Sequence, residues 1–401
     1  MGNRPFLLSR STEQGGPGQE FMGVFVRRTA TVAFGLTLAC FQPPLFAAKG
    51  DSEISKEAAK LNQRGIDLLH KKEYEQAIVS FREALRIQPE YWDALDNLGK
   101  ALEAVGKDAE AIVELDKAIA IAPETAAAYA DKGMALFQEG KYEEAAASYR
   151  QAIERHKDFA EAQNGLGASL LHLGKNDEAM AAFRSSIASN PRNADALGNL
   201  GAALLKDDRP AEALPFLRRA HSLRPERSDV LESYAAALER DGQAHEAIAA
   251  YHKLASKHPD QPAPWAQLGY LYYRSKRYEP AVSAFERSLA LQQDPDVLFA
   301  LAVAQAEQGK LGDAIRSYEK CIALKPDDAN VRFNYGNALF NAGKYQDSAT
   351  QYREAVRLNP SLAHAHYNLG ITLLRLSDAK SAQSEFAEAH RLDPNLNPPT
   401  K

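Results

Sequence analysis

The sequence predicts an all-α protein, a right-handed superhelical solenoid of about ten helix-turn-helix units. Two observations predict it. Prolines and glycines recur at a spacing of 34 residues, as from Pro89 to Pro123, through most of the chain. Apolar residues within each spacing fall at helical intervals, as at Leu95, Leu98 and Leu102. Each helical pair leaves an apolar face uncovered, so neighbouring pairs are expected to stack in chain order.

Small and large residues keep the same period as the prolines. The glycines are Gly65, Gly99, Gly133, Gly167, Gly201, Gly269, Gly336 and Gly370. The large residues of the second segment are Phe81, Leu115, Tyr149, Phe183, Leu217, Tyr251, Phe285, Tyr318, Tyr352 and Phe386. A glycine lets two helices cross closely, where a bulky side chain would cost about 1–3 kcal/mol in overpacking. The large residue fills the remaining gap, and a proline ends the second helix.

The pattern resembles the tetratricopeptide repeat, and the resemblance covers ten consecutive copies over residues 58–396. A lead-in at 49–57 precedes the copies and a tail at 397–401 follows them. The copies are 58–91, 92–125, 126–159, 160–193, 194–227, 228–261, 262–294, 295–328, 329–362 and 363–396. Repeat seven lacks the proline and is one residue short, which predicts a local irregularity between residues 290 and 296.

The first fifty residues have a different composition. Residues 1–21 show no apolar periodicity and are predicted to be disordered, or a non-native extension upstream of Met22. Residues 22–48 run from a basic stretch through an apolar segment to small residues, which is typical of a secretory signal peptide. The apolar segment is shorter than the roughly 20 residues that span a bilayer. The sequence therefore predicts export to the periplasm or the cell exterior.

Cys40 offers an alternative end to the signal. The segment Leu36-Thr-Leu-Ala-Cys40 resembles a lipoprotein box, although the leucine expected three residues before the cysteine is displaced. Lipidation at Cys40 and cleavage near Ala48 are therefore both left open. A membrane is expected to be reached only through such a lipid or through an uncleaved signal.

Composition and motifs exclude several function classes. The net charge of -5 is opposite to the basic excess of nucleic-acid binders. The sequence contains no phosphate-binding glycine-rich loop, no nucleophile elbow and no paired-histidine zinc motif. Cys321, the second of two cysteines, is expected to be a small buried side chain. We therefore expect neither an enzyme nor a cofactor or metal.

The resemblance implies a concave groove lined by the first helix of each repeat, in which protein or peptide ligands bind. Asn97, Asn199, Asn334 and Asn368 share position 6 of that helix and resemble the asparagine ladder of peptide-binding arrays. Repeats seven to ten add further candidates, namely Tyr270, Tyr273, Phe299, Phe333, Asn337, Phe340, Asn341 and Tyr367. Exposed aromatic side chains of this kind mark interaction sites. The alternatives are that the asparagines are merely solvated and that some aromatics belong to the core.

Acidic residues occupy the same helix face in repeats two and six. They are Asp93, Asp96, Glu103, Asp229, Glu232 and Glu239. Such residues favour a basic ligand segment, or they serve only to keep the surface soluble.

We therefore predict a non-catalytic protein–protein interaction scaffold that binds an extended polypeptide or a partner subunit, in assembly of the cell envelope or a secretion machine. Self-association through the last repeat, after which the sequence shows no capping helix, is the alternative. It would make the protein a structural homo-oligomer.

Overall fold

The structure is a computed structural model that describes residues 54–399. This part of the chain forms twenty α-helices and no strand. The helices are α1 Lys56–His70, α2 Tyr74–Ile87, α3 Trp92–Ala104, α4 Asp108–Ile121, α5 Ala126–Gln138, α6 Tyr142–Arg155, α7 Ala160–His172, α8 Asn176–Ser189, α9 Ala194–Lys206, α10 Pro210–Leu223, α11 Ser228–Arg240, α12 Ala244–Lys257, α13 Pro262–Arg274, α14 Tyr278–Leu291, α15 Pro295–Glu307, α16 Leu311–Leu324, α17 Ala329–Asn341, α18 Tyr345–Leu358, α19 Ala363–Arg375 and α20 Ala379–Leu392. The predicted all-α solenoid of helical pairs is confirmed. The predictions for 1–21, 22–48 and Cys40 lie outside the described residues.

Consecutive helices form antiparallel pairs, one pair for each predicted repeat. We call the first helix of each pair an A helix (odd numbers) and the second a B helix (even numbers). Within each unit, B helices contact the A helix of the next pair, as α2 contacts α3, and neighbouring A helices contact each other, as α5 contacts α7. The A helices of adjacent repeats therefore form one continuous face within a unit.

The contacts divide the described chain into two compact units, residues 54–237 and residues 238–399. The division falls within α11. Each unit is a stack of helical pairs with its own core.

The glycine of each pair marks a close crossing of A and B helices. A Cβ atom at Gly201 on α9 would lie 2.4 Å from Cγ of Leu217 on α10, and Leu217 is fully buried. The same relationship holds between Gly65 on α1 and Phe81 on α2. The large side chain of the B helix therefore fills the space that the missing Cβ leaves, as the sequence pattern predicts.

Every turn between the A and B helix of a pair contains one residue with left-handed backbone. Six of these residues are glycines, Gly106, Gly140, Gly174, Gly242, Gly309 and Gly343. The other four are Lys72, Asp208, Lys276 and Ser377, with φ between 54° and 64°. The turn therefore requires this conformation in all ten pairs, including the four that lack the glycine.

The connection from repeat seven to repeat eight is shorter than the others. Only residues 292–294 join α14 to α15, whereas four residues, such as 88–91, join the other B helices to the next A helix. Asp294 caps α15, because its side chain accepts from the backbone nitrogens of Asp296 and Val297. The single deleted residue is absorbed in this connection, at the place where the sequence predicts an irregularity.

Cys321 on α16 is fully buried, and its thiol donates to the backbone oxygen of Pro295 over 3.3 Å.

Among residues 54–399, no helix has the length and apolar character needed to cross a membrane.

Candidate binding face of the A helices

The A helices of residues 238–399 present a row of partly exposed side chains, which are aliphatic or aromatic except for Asn334. We call this surface the C-terminal A face. It is formed by Tyr270 and Tyr273 on α13, Val303 and Ala306 on α15, Asn334 and Phe340 on α17, and Ile371 and Leu374 on α19. These helices are neighbours, since α13 contacts α15, α15 contacts α17 and α17 contacts α19. The row therefore crosses four consecutive repeats.

The aromatic side chains predicted for the groove separate into two groups by position on the helix. Phe299, Phe333 and Tyr367 stand at position 5 and pack against the large ring of the B helix in the same repeat, at centroid distances of 6.2, 6.0 and 5.4 Å. Phe299 and Phe333 are buried, with 8% and 4% of their surface exposed, so the structure places both in the packing. Tyr367 is partly exposed.

The second group stands nearer the end of the A helix and stays partly exposed. Tyr273 and Phe340 share position 12, and each packs against the tyrosine that begins the next B helix. The centroid distances are 5.9 Å to Tyr278 and 5.1 Å to Tyr345. Tyr270, one turn earlier on α13, is also partly exposed. The ring behind each side chain fixes its position, which favours a preformed surface over a mobile one.

Four of the six predicted asparagines form a hydrogen bond to an asparagine of a neighbouring repeat. Nδ2 of Asn97 donates to Oδ1 of Asn62 over 3.3 Å, and Nδ2 of Asn199 donates to Oδ1 of Asn164 over 3.1 Å. In each of these two hydrogen bonds, a residue at position 6 of one repeat bonds to a residue at position 5 of the preceding repeat. All four are buried, so these amides tie neighbouring A helices together.

The asparagines of repeats nine and ten differ in exposure. Asn337 and Asn368 are buried and bonded to each other over 2.9 Å. Asn334 is partly exposed, and its Nδ2 donates to the carbonyl of Asn330 on its own helix over 2.9 Å. Asn341 is exposed at the end of α17. Of the predicted asparagines, Asn334 and Asn341 are therefore the two best placed to meet a ligand.

The acidic residues of repeat six are held by arginines. Asp229 pairs with Arg227, whose guanidinium also contacts Asp195. Glu239 pairs with Arg274 and accepts the hydroxyl of Tyr251 over 3.1 Å. The carboxylates of Asp229 and Glu239 are therefore already paired with groups of the protein.

The acidic residues of repeat two are arranged differently. Asp93 accepts from Asn62 over 2.6 Å, and burial raises the pKa of its carboxyl. Nζ of Lys100 lies 2.6 Å from Asp96 and 3.2 Å from Asp131 of the next repeat. Burial and the charge of Asp131 raise the pKa of Glu103 well above its usual range. Acidic groups here outnumber basic ones on a surface with limited access to water.

Two features of the A helices, one in each unit, were missed by sequence reasoning. Leu374 is 42% exposed at position 12 of α19, where Tyr273 and Phe340 stand in repeats seven and nine. Alignment of all repeats at position 12 would have found it. Asp131 joins Asp96 and Glu103 in one cluster, and only the contact between α3 and α5 brings them together.

The last helix shows which groups the end of the array exposes. Among the described residues of α20, the exposed side chains include Gln383, Ser384 and His390, and no large apolar residue is exposed. In residues 54–399, no group of three or more histidine, cysteine, aspartate or glutamate residues is placed to hold a metal ion.

Three family models match the chain, and together they cover most of it. A model described as tetratricopeptide repeat matches residues 130–189 and 174–228, and a second of the same description matches 68–132 and 238–306. A third, described as TPR repeat, matches 304–343 and 336–377. No curated protein matches the sequence.

Solved structures of similar fold include three repeat proteins. YrrB, described as a TPR protein with an unusual peptide-binding site, is 25% identical with a TM-score of 0.44, over 48% of this chain and 97% of YrrB. A tetratricopeptide repeat protein from Parabacteroides merdae is 17% identical with a TM-score of 0.44, over 63% and 100% of the two chains. TTC0263 from Thermus thermophilus is 22% identical with a TM-score of 0.40, over 45% and 98%.

Proposed function

Because the chain belongs to the tetratricopeptide repeat family, whose members are generally protein–protein interaction scaffolds, we propose that it is a non-catalytic scaffold that holds an extended polypeptide against its A helices. The observation that carries this proposal is the row of partly exposed side chains at position 12 of the A helices, Tyr273, Phe340 and Leu374. Partly exposed apolar groups that recur in register along a solenoid favour a ligand that is itself extended.

The dimensions of the C-terminal A face fit a short segment of chain. Neighbouring helices pack about 8–10 Å apart, so four A helices span roughly 30 Å. An extended chain advances about 3.3 Å per residue, so about ten residues cross the face. Alternate side chains of an extended segment point the same way, so every second residue would meet the apolar row.

The ligand's backbone needs polar partners, because an extended segment makes no internal hydrogen bonds. Asn334 and Asn341 carry amide groups that offer both a donor and an acceptor. Both lie on α17, between Tyr273 and Leu374 in the order of the repeats. We propose that they bond to backbone groups of the ligand while the apolar row receives its side chains.

The experiment compares two leucines of the same unit. Leu374 is 42% exposed on an A helix and Leu324 is 52% exposed on the B helix α16. The probe is a fluorescein-labelled peptide of about ten residues, with leucine at every second position and serine between. We expect Leu374→Ala to weaken binding in an anisotropy titration about tenfold and Leu324→Ala to leave it unchanged. Equal effects of the two substitutions, or no binding by the native chain, would overturn the proposal.

Phe333→Ala and Tyr273→Ala separate ligand contact from core packing. Phe333 is buried, so its truncation is expected to cost about 3–5 kcal/mol of stability. Tyr273 is partly exposed, so its truncation is expected to weaken peptide binding with a much smaller loss of stability. A large fall in the melting temperature of Tyr273→Ala, without loss of binding, would remove Tyr273 from the binding face.

We further propose that the protein acts after export, in assembly of the cell envelope or a secretion machine. The basic, apolar and small-residue segments of residues 22–48 support export. Mass spectrometry of the protein from its native cells tests this: a mature N-terminus near Ala48 supports cleavage, a lipid on Cys40 supports anchoring, and an intact N-terminus in the cytosol contradicts both. Light scattering of the purified protein tests the alternative of self-association, which a monomer at high concentration would exclude.

A further inference from the structure

A cluster of carboxyl groups surrounds a single ammonium group on the A helices of residues 54–237. Asp96, Lys100 and Glu103 lie on α3, and Asp131 lies on the neighbouring α5. Lys100 contacts Asp96 and Asp131 at 2.6 and 3.2 Å. If all three carboxyl groups were ionised, one ammonium would leave an excess of two negative charges, and burial together with this repulsion raises the pKa of Glu103 and of Asp131. We call Asp96, Lys100, Glu103 and Asp131 the acidic cluster.

Three oxygens of the acidic cluster are buried without a hydrogen bond from any residue of 54–399. They are Oε1 of Glu103, Oδ1 of Asp96 and Oδ2 of Asp131, of which the last forms only the ion pair with Lys100 at 3.2 Å. The side chain of Asp96 is only 4% exposed. A buried carboxylate oxygen without a donor is costly, because it has lost its water and gained no partner. Each of these oxygens therefore needs a further donor, which either a proton on the carboxyl group or a group of a ligand supplies.

Tyr149 on α6 adds an independent observation that points to a ligand. Tyr149 is 2% exposed, and its hydroxyl has no hydrogen-bond partner among the described residues. The ring of Tyr149 packs against α5, the helix that carries Asp131, since a Cβ atom at Gly133 would lie 2.9 Å from Cδ1 of Tyr149. Burial raises the pKa of this hydroxyl, and the charges of Glu103 and Asp131 raise it further. A buried polar group that faces the acidic cluster is thus itself without a partner.

The equivalent tyrosines of other repeats show what is missing at Tyr149. Tyr352 donates to Asn337 over 2.6 Å, and Tyr251 donates to Glu239 over 3.1 Å. Next to Tyr149 stands Gly165 on α7, where repeats five and ten carry an asparagine. A Cβ atom at Gly165 would lie 2.3 Å from Cζ of Tyr149. The glycine therefore provides the room for the ring. The amide is missing because Met134 stands in repeat three where Asn337 stands in repeat nine.

Repeat six carries acidic residues on the same helix face, but there the protein supplies their partners. There Asp229 pairs with Arg227, and Glu239 pairs with both Arg274 and Tyr251. No arginine forms an ion pair with Glu103 in the described part of the chain. The protein itself supplies the donors that satisfy repeat six, whereas none of its described residues donates to Oε1 of Glu103 or to Oδ1 of Asp96.

We propose that Glu103, Asp131 and Tyr149 bind the cationic side chain, a lysine ammonium or an arginine guanidinium, of a polypeptide that lies along the A helices of residues 54–237. The cation donates to Oε1 of Glu103 and to the carboxylate of Asp131. The phenolic oxygen of Tyr149 accepts a third N–H, and its own proton is donated to a carboxylate. This inference rests on the proposed function for the class of ligand but uses a separate surface and a separate probe.

The test uses the full chain and labelled oligolysine, oligoarginine and oligoglutamine peptides of equal length. Glu103→Gln removes one charge at the site, and Glu143→Gln removes one charge from an exposed position on the B helix α6. We expect oligolysine or oligoarginine to bind the native chain and Glu103→Gln to weaken that binding about tenfold. We expect Glu143→Gln to change it less than about twofold. The stronger of the two basic probes identifies the preferred side chain.

Tyr149→Phe keeps the ring between Gly133 and Gly165 and removes only the hydroxyl. It is expected to weaken binding of the basic probe about threefold or more without loss of helicity. Equal losses in Glu103→Gln and Glu143→Gln, binding of oligoglutamine as strong as oligolysine, or no binding of either basic probe would overturn the cation site. The leucine–serine peptide, measured on the same variants, should bind Glu103→Gln normally, so failure of the cation site and of the proposed function give different results.

Discussion

The hydroxyl of Tyr352 donates to Oδ1 of Asn337 over 2.6 Å, and the same oxygen accepts from Nδ2 of Asn368 over 2.9 Å. Tyr352 and Asn337 belong to repeat nine, and Asn368 belongs to repeat ten. All three are buried. One acceptor thus bonds the two helices of a pair to each other and to the following pair.

Asn337→Ala leaves two buried donors without an acceptor, so we expect a loss of about 1–3 kcal/mol for each donor that stays unpaired. Tyr352→Phe removes one donor and leaves the bond between Asn337 and Asn368, so we expect a smaller loss of about 0.5–1.5 kcal/mol. Hydrogen exchange in α17 and α19 measures both, because repeat arrays open locally. Asn341→Ala, at an exposed position, is the control. A larger effect for Tyr352→Phe than for Asn337→Ala would contradict this account.

Gly201→Leu tests the close crossing of α9 and α10. A Cβ atom at Gly201 lies 2.4 Å from Leu217, so the larger side chain must push the helices apart at a cost of about 1–3 kcal/mol or more. Faster hydrogen exchange is expected in repeat five, with distant repeats unchanged. Ala202→Leu, on the partly exposed side of the same helix, is the matched control. Unchanged exchange in α9 and α10 would mean that the crossing is not tight.

Lys276→Gly should stabilise the turn between α13 and α14. Lys276 has a φ of 57°, and left-handed backbone costs an L-residue about 1–2 kcal/mol. Glycine avoids that cost but loses roughly 0.5–1 kcal/mol in the greater freedom of the unfolded chain. The net expected gain is up to about 1 kcal/mol in the free energy of unfolding, measured as a higher melting temperature.

The control for this substitution is Lys310→Gly, in the next turn of the same unit. Lys310 has a φ of -82°, so glycine relieves no strain there and should give no gain. Equal gains for both glycines would show that the left-handed conformation is not the cause.

The period of the sequence was enough to predict the helical pairs, their turns and the short connection after repeat seven. Assigning side chains to the groove or to the core was harder. The period shows which residues lie in the same helix, but not which side of that helix packs against its neighbours. Phe333 at position 5 packs on Tyr352, whereas Phe340 at position 12 packs on Tyr345 and stays partly exposed. The hydrogen bond between Asn199 and Asn164 could not be predicted either, because Asn164 stands at a different position of its own repeat. Contacts between repeats depend on the relative placement of the A helices, which no single repeat encodes.

Neutralising Glu103 should raise stability at alkaline pH and do little in acid. Burial and the charges of Asp131 and Asp108 raise the pKa of Glu103, so the folded state holds a proton that the unfolded state has already lost. Burial and Asp96 likewise raise the pKa of Asp131, against the opposing effect of Lys100. When the folded state binds more protons, stability falls as pH rises above the usual carboxyl range. The acidic cluster should therefore destabilise the protein increasingly from acid to alkaline pH.

Glu103→Gln removes this cost, by roughly 1.4 kcal/mol for every unit by which the pKa is raised. The melting temperature of the variant should exceed that of the native chain at mildly alkaline pH, and the two should converge in acid. Glu143→Gln, an exposed carboxylate on α6, should follow the native curve throughout. Asp96, Lys100 and Asp108 also act on Glu103, and Tyr149 lies near it, so the comparison is made between single substitutions at matched ionic strength. A difference between Glu103→Gln and the native chain that is the same in acid and alkali would show that folding does not raise the pKa of Glu103.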